Sequence, residues 1–233
     1  MSYQLESIQV GLPCTLGQAG AADPMEREWT TALFKEPVEG VVEAEVLGLA
    51  GDGQADRNAH GGVDMAINVY PREHLAYWWG EYGLDFQPGA FGENFSTTGF
   101  VESEVCVGDR YEVGELLVEV SQPRQPCWKI ARRWRIKDLA AQVEKTGYTG
   151  WYLRVLRGGA VASGKEFYLV ERPYPEWSVA EVNSVRFHRK RDGEASFRLG
   201  QCAALSQGWR EFFLKRAKKL GAGPDEASKM CSQ

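Results

Sequence analysis

The 233-residue sequence predicts an α+β protein with a mostly antiparallel, barrel-like sheet followed by a small C-terminal domain of three helices. The first observation is the number of short β-rich runs that end in Gly or Pro turns. The second is that only two or three helical patterns occur before residue 173, which disfavours a doubly wound parallel sheet. The third is a change of character after the Pro-Tyr-Pro segment 173–175, where three amphipathic helical patterns follow. The predicted domains are therefore residues 1–174 and residues 175–225.

The N-terminal half is predicted to consist mainly of strands and one helix. The helix runs from Pro71 to about Tyr82, because proline is favoured at a helix start and Gly83 suits its end. The glycine-rich, charged segment 48–62 is predicted to be a long loop, a kind that is usually functional or mobile. Predicted strands cover residues 4–10, 29–34, 41–49 and 65–70, residues 15–28 form a loop, and residues 89–98 form a turn that leads into a short strand.

The second half is predicted to start with a hairpin that turns at Gly114 and Glu115, between strands 105–113 and 116–121. A short helix follows Pro126. Ser178 and Glu181 have the spacing of a capping box at the start of the C-terminal domain. The remaining predictions are a helix over 136–145, strands over 151–157 and 166–171 around a turn at 158–164, and C-terminal helices over 178–188, 194–205 and 208–220.

Composition and cysteine usage indicate an ordinary soluble protein, with 43% hydrophobic and 25% charged residues. Five cysteines without a C-x-x-C pair argue against a disulfide framework or a zinc ribbon. No apolar signal segment or membrane-spanning run is present, so we expect a cytoplasmic protein without a membrane association. Three widely separated histidines make a multi-histidine metal site an unfavoured interpretation.

Charge is unevenly distributed in this chain of net charge −5. Residues 124–137 contain six Lys or Arg and no acid, which predicts a phosphorylated or otherwise anionic small ligand nearby. Residues 186–219 contain ten Lys or Arg against three acids. They lack a base-reading motif, so a solvated basic face is favoured over nucleic-acid binding. The sequence also has no P-loop, no G-x-G-x-x-G after a strand and no G-x-S-x-G motif.

Cys127 is the candidate for chemistry, because it is predicted to lie where a strand gives way to a helix. Pro126 suits the first helical position, which places Cys127 in the first turn. Backbone N–H groups, the helix dipole and the basic residues around it favour thiolate over thiol there. A soft, anionic sulfur can act as a nucleophile or as a metal ligand, although a structural cysteine is an equally good interpretation from position alone. The other cysteines, Cys14, Cys106, Cys202 and Cys231, are predicted to be small buried hydrophobic residues.

Three further groups of polar residues are candidates for ligand binding, each with a plain structural alternative. Consecutive glycines beside an arginine and a histidine could form an anion site or simply a Gly-Gly turn. Glu93 and Asn94 could orient a ligand or stabilise a polar turn. Arg124 could pair with a phosphate or carboxylate, or be solvated. The complete candidate set is Arg57, His60, Gly61, Gly62, Glu93, Asn94 and Arg124.

Four motifs, taken together and in this order, resemble the MOSC domain, named for the C-terminal domain of molybdenum cofactor sulfurase. They are GDGQADRNAHGGVDMAINVYP (51–71), FGENFSTTG (91–99), VGDRYEVG (107–114) and VSQPRQPCWK (120–129). The three-helix tail is similar to the helical domain that follows MOSC in the stand-alone YiiM-like branch. The resemblance covers nearly the whole chain.

The resemblance implies a barrel-like MOSC fold that carries the molybdenum cofactor, molybdopterin with molybdenum. Cys127 would be the catalytic residue and the protein's metal ligand, and the seven candidate residues above would line the cofactor pocket. Similar proteins reduce N-hydroxylated compounds, including toxic hydroxylaminopurine-type base analogues. Electrons would come from a separate flavin or iron–sulfur reductase, since this sequence has no ferredoxin-type cysteine set.

Two alternatives from other classes remain open at this point. In the first, Cys127 holds a persulfide and the protein is a sulfur carrier for cofactor or metal–sulfur cluster assembly. In the second, which we rank last, the basic tail is a nucleic-acid-associated module. The tail is a better candidate for contacts with a reductase or with a second subunit in a homodimer.

Overall fold

The computed structural model describes residues 3–56 and 61–223, and its centre is a closed barrel of seven strands. The hydrogen-bonded order is β13, β9, β10, β11, β7, β8 and β1, and β1 also pairs with β13, which closes the sheet. The β7–β8 pair is parallel and the other pairs are antiparallel, so the mostly antiparallel barrel predicted from the sequence is confirmed. The barrel strands are β1 (Tyr3–Val10), β7 (Ile67–Pro71), β8 (Phe95–Thr98), β9 (Arg110–Val113), β10 (Leu116–Pro123), β11 (Trp151–Arg157) and β13 (Glu166–Glu171).

Short strands outside the barrel correct two predictions. Residues 41–49 form a hairpin of β5 (Val41–Glu45) and β6 (Gly48–Leu49), and not one strand. Gly48, at φ 131°, follows the turn at residues 46–47 and takes a backbone conformation that favours glycine. The segment 158–164 is not only a turn, because β12 (Gly159–Ala162) pairs with β5 along its length. The other short strands are β2 (Cys14–Leu16), β3 (Trp29–Thr31) and β4 (Glu36–Pro37).

The predicted helices are present with shifted ends. Pro71 is the last residue of β7, so α1 (Glu73–Tyr82) begins two residues later than expected and ends at Gly83. Ser178 caps the first tail helix through a hydrogen bond from Glu181 N–H, as the capping box predicts. The other helices are α2 (Trp128–Trp134), α3 (Leu139–Thr146), α4 (Val179–Asn183) with its π-helical continuation Ser184–His188, α5 (Gly193–Gln201) and α6 (Gln207–Lys219).

Three apolar cores hold these elements together. One fills the barrel, and a second lies between α1 and the α2–α3 pair around Trp78 and Leu139. The third belongs to the tail and includes Leu199, Trp209 and Val107, the last of which comes from the barrel side. The tail therefore packs against the barrel, while the domain limits 1–174 and 175–225 stay a prediction.

The longest described helices fall short of what a bilayer crossing requires. Over residues 3–56 and 61–223, no helix combines the length and the apolar character of a transmembrane span.

Candidate functional site

Cys127 lies at the junction between β10 and α2, as predicted, but two positions earlier relative to the helix. Its backbone is extended (φ −121°, ψ 163°), and α2 starts at Trp128. Pro126 consequently lies outside the helix, which corrects its predicted place at the first helical position. Cys127 is partly exposed.

A first cavity opens beside Cys127. We call it the barrel cavity, because the barrel strands and their loops form its walls. Three cationic side chains line it, namely Lys35, Arg124 and Lys129, together with the two acids Asp52 and Asp56. The basic segment 124–137 thus contributes two of the cations, as its charge predicts.

Arg124 is the most informative side chain of the barrel cavity. It is 3% exposed, and its backbone N–H donates to Gly150 O over 3.0 Å. Among the residues that the structure describes, its buried Nη1 has no hydrogen-bond partner. A buried, charged N–H group without a partner is costly, so this atom fits a ligand that supplies a hydrogen-bond acceptor.

Two asparagines form the adjacent part of the wall. Asn94 holds the wall together, because its Oδ1 accepts from Asn68 N–H (3.1 Å) and its Nδ2 donates to Gln9 O (3.2 Å). Asn68 donates from Nδ2 to Gly92 O over 3.4 Å, whereas its Oδ1 is buried and has no partner in the described part of the chain. Asn68 therefore offers an acceptor in the same cavity in which Arg124 offers a donor. Sequence reasoning missed it, although a polar residue within the buried run INVYP is a usable signal.

Glu93 lies behind the cavity wall and is fully buried. Its carboxylate accepts from Gly89 N–H (2.6 Å), Phe91 N–H (3.0 Å) and Ser96 Oγ (3.0 Å). These bonds shape the 89–96 turn that positions Asn94. The interpretation of Glu93 as a cofactor ligand stays a prediction.

Lys35 and Asp52 form a buried ion pair in the barrel cavity, with side chains that are 6% and 3% exposed. Burial lowers the pKa of Lys35, and the neighbouring Asp52 carboxylate opposes this shift. Asp52 also accepts from Gly11 N–H over 3.0 Å. Because Lys35 and Asp52 belong to different segments of the chain, no local sequence motif predicts the pair.

A second cavity lies between the barrel and the helical tail, and we call it the tail cavity. Gly61 and Gly62 line it together with side chains from α6. Four residues line both cavities, and they are Met65, Gln125, Cys127 and Tyr152. Burial raises the pKa of Tyr152, the Arg124 guanidinium opposes this, and the Cys127 thiolate adds to it. Tyr152 is therefore a protonated donor at neutral pH.

The structure thus brings Cys127, Arg124 and Asn94 to one cavity, and Cys127, Gly61 and Gly62 to the other. Arg57 and His60 lie outside the described residues. Within residues 3–56 and 61–223, no three His, Cys, Asp or Glu side chains are grouped to hold a metal ion. Cys127 lines both cavities, and its sulfur is of the kind that soft metals prefer as a ligand when it is a thiolate.

Comparison with known proteins gives the relationship of the whole chain. Residues 56–168 match the MOSC domain, and residues 177–219 match the YiiM-like, 3-alpha helix domain. The uncharacterized protein YflK of Bacillus subtilis is 38% identical over 94% of this chain and 96% of its own. A protein of Gibberella moniliformis named a reductase is 38% identical over 68% of this chain, which corresponds to 29% of its own length.

A solved structure extends the comparison to the fold. The crystal structure of YiiM from Geobacillus stearothermophilus has a TM-score of 0.77 and 38% identity, and the match covers 92% of this chain and 99% of that one. Agreement over both the barrel and the tail confirms the α+β fold with C-terminal helices. The chain therefore belongs to the YiiM-like family of MOSC-domain proteins.

Proposed function

We propose that this protein is a molybdenum-cofactor oxidoreductase that reduces N-hydroxylated compounds, such as hydroxylaminopurine-type base analogues, with electrons from a separate reductase. The observation that carries this proposal is the partly exposed Cys127 at the edge of a cavity lined by Lys35, Arg124 and Lys129. A thiolate beside a basic cavity suits a cofactor that combines a soft metal with an anionic organic part.

The unpaired polar atoms of the barrel cavity support the fit of such a cofactor. Arg124 Nη1 offers a donor and Asn68 Oδ1 offers an acceptor, and both are buried without partners in the described residues. A pterin presents both donors and acceptors, and its phosphate is anionic. We assign Arg124 and Lys129 to the anionic part, Asn68 to the ring system and Cys127 to the metal.

The cofactor, when bound, supplies the two-electron oxygen-transfer chemistry. The balanced reaction is R–NHOH + 2e⁻ + 2H⁺ → R–NH₂ + H₂O, in which the N–O bond breaks and the oxygen leaves as water. The residues of this chain hold the cofactor, bring the N–O group to the Cys127 side of the cavity and limit the access of bulk water. The Tyr152 hydroxyl, which lines both cavities, can donate a hydrogen bond to the substrate oxygen.

Relatives give this proposal its second support. The MOSC domain is associated with molybdenum-cofactor binding, and the fungal relative is named a reductase. That relative is much longer than this chain, which fits an activity that needs further protein to supply electrons. We therefore propose a flavin or iron–sulfur reductase as the partner and a reducing cytoplasm as the compartment.

The deciding experiment measures molybdenum and released pterin per chain in protein that is purified anaerobically from a host that makes the cofactor. We expect both in the wild type and expect Cys127→Ala to lose most of the metal, because the variant lacks the thiolate ligand. Cys14→Ala is the matched control, since Cys14 is a free, partly exposed cysteine that lines neither cavity.

Two outcomes would contradict the proposal. One is a wild-type protein without metal or pterin from that host. The other is a metal content that Cys127→Ala leaves unchanged. A mass increase of one sulfur atom on Cys127 without bound molybdenum would instead support the sulfur carrier.

A further inference from the structure

The tail cavity has two chemically different walls. The barrel wall carries Cys127 and Tyr152, and the tail wall carries Trp209 and Phe212 from α6 together with Arg186 from the π-helical turn. The tail wall thus combines two aromatic side chains with one cation. A cavity with this lining suits a flat ring that also bears hydrogen-bond acceptors.

Arg186 is fixed in place by its surroundings. Its guanidinium carbon lies 3.3 Å from the ring centroid of Phe212 and 5.2 Å from that of Trp209. Its Nη2 donates to Gln125 Oε1 over 3.1 Å. Arg216 holds the backbone of this turn, because it donates to Val185 O (2.7 Å) and Arg186 O (3.0 Å). A side chain held from several directions is preorganised and loses little entropy when a ligand binds.

Arg186 also has an unmatched donor. In the described part of the chain, its buried Nη1 has no hydrogen-bond partner, and no carboxylate there forms an ion pair with it. Burial and the nearby Arg216 lower the pKa of Arg186 to about 10, while Glu144 opposes the shift, so the group stays charged at neutral pH. A fixed, charged and partnerless N–H group is a feature of sites that recognise an acceptor.

Gln125 connects this wall to the reactive side of the site. It accepts the Arg186 hydrogen bond and lies two residues from Cys127 in the chain. Gln125 and Cys127 both line the two cavities. A ring held at the tail wall would therefore share its cavity with Cys127.

We infer that the tail cavity is the substrate site, and that Arg186, Trp209 and Phe212 select flat aromatic N-hydroxylated compounds whose ring nitrogen or carbonyl accepts a hydrogen bond from Arg186. This inference rests on the proposed function. The three-helix tail is then part of the substrate site, and these side chains determine specificity without touching the cofactor.

The test compares three substrates that share the N–OH group, with reduced methyl viologen as the electron donor. They are 6-hydroxylaminopurine (a ring with acceptors), phenylhydroxylamine (a ring without ring acceptors) and hydroxylamine (no ring). We expect Arg186→Met to raise KM about tenfold for the purine, and to change KM for the other two less than about twofold. The control Arg198→Met removes another tail arginine that stacks on a tryptophan, Trp177, but does not line the tail cavity.

A second variant tests the cavity without removing any contact. Gly208 lines the tail cavity within α6, and a Cβ added there meets no atom within 4 Å. Gly208→Leu should therefore fold normally, narrow the cavity and raise KM about tenfold for both ring substrates, with little effect on hydroxylamine. Gly80→Leu is the control, because Gly80 lies in α1, also has open space around it and lines neither cavity.

A binding measurement separates this inference from the proposed function. Calorimetric titration of the wild type with adenine, which has no N–O group, requires no turnover. We expect Arg186→Met and Gly208→Leu to weaken its Kd about tenfold, with unchanged molybdenum content. A wild type without molybdenum would contradict the proposed function. The titration would still show whether the cavity at Arg186 and Gly208 binds the adenine ring. Unchanged Kd and KM in both variants, or an equal loss for all three substrates, would overturn the inference.

Discussion

Arg124 shows how much of the candidate site depends on single buried groups. Its Nη1 has no partner among the described residues, so the protein without a ligand keeps an unfavourable buried donor. We predict that Arg124→Met lowers the molybdenum and pterin content of the purified protein at least about tenfold, because a charged hydrogen bond to the ligand is lost. The thermal midpoint of the cofactor-free protein should stay within a few degrees of the wild-type value.

The matched control for this residue is Arg157→Met. Arg157 is an exposed arginine that pairs with Glu112 over 3.0 Å, and surface pairs of this kind contribute about 0–1 kcal/mol. Its removal should leave both the cofactor content and the midpoint unchanged. Equal cofactor loss in the two variants would mean that Arg124 acts through general charge and not through the cavity.

The residues of the candidate site differ in how well they can be predicted from the sequence. Cys127, Arg124 and Asn94 were predictable, because each lies in a short motif whose chemistry is local. Lys35, Asn68 and Tyr152 were not, since barrel closure alone brings them to the same cavity. Glu93 illustrates a third case, in which a motif residue is engaged by the backbone of its own turn.

At the scale of elements, the start of β11 depends on Gly150. Its φ is +67°, and an added Cβ would lie 2.2 Å from Val69 O on the neighbouring β7. We predict that Gly150→Ala lowers the free energy of unfolding by more than about 2 kcal/mol, because the left-handed conformation alone costs about 1–2 kcal/mol and the clash adds to it. Urea unfolding of the cofactor-free protein measures this value.

Gly147→Ala separates the cost of the left-handed conformation from the cost of the clash. Gly147 caps α3 at φ +76°, and an added Cβ there meets nothing within 4 Å. The free energy of unfolding of Gly147→Ala should fall only by the conformational cost, about 1 kcal/mol. Equal losses in the two variants would show that β11 can move away from β7, contrary to the tight contact in the structure.

Elements that depend on the local sequence pattern were predicted well. Elements that depend on tertiary contacts were not. The strand Trp151–Arg157 has the limits that its alternation predicts, and α1 ends at the expected Gly83. The hairpin within 41–49 was missed, because its apolar pattern continues through the turn. The strand β12 was missed because its glycine-rich sequence resembles a turn until β5 is available to pair with it.

At the scale of the whole molecule, a buried network lies where the barrel meets the tail. Tyr111 Oη donates to Asp109 Oδ2 over 2.8 Å, and Arg172, just before the predicted linker, donates to both oxygens of the same carboxylate (2.9 and 2.7 Å). Burial, and then the Asp109 charge, raise the pKa of Tyr111 well above its usual value near 10.

This shift predicts alkaline sensitivity. Above about pH 10 the unfolded chain loses the Tyr111 proton and the folded chain keeps it, so stability falls as pH rises, by about 1.4 kcal/mol per pH unit. Tyr111→Phe should be about 1 kcal/mol less stable at pH 7, since one hydrogen bond is lost, yet decline less steeply between about pH 10 and 11.5. Urea midpoints across that range measure the slope, and parallel curves for the two proteins would refute the assignment.

Cys127 lines both cavities, and this position has a consequence for turnover and for diversity within the family. On the proposed function and substrate site, a cofactor in the barrel cavity would remain there while successive substrates enter and leave through the tail cavity, so exchange of one would not require release of the other. Apart from the four residues that line both cavities, the two ligands would be contacted by different segments of the chain. Substitutions at positions 186, 209 and 212 would then change which compound binds in the tail cavity. The residues that hold the cofactor would stay the same.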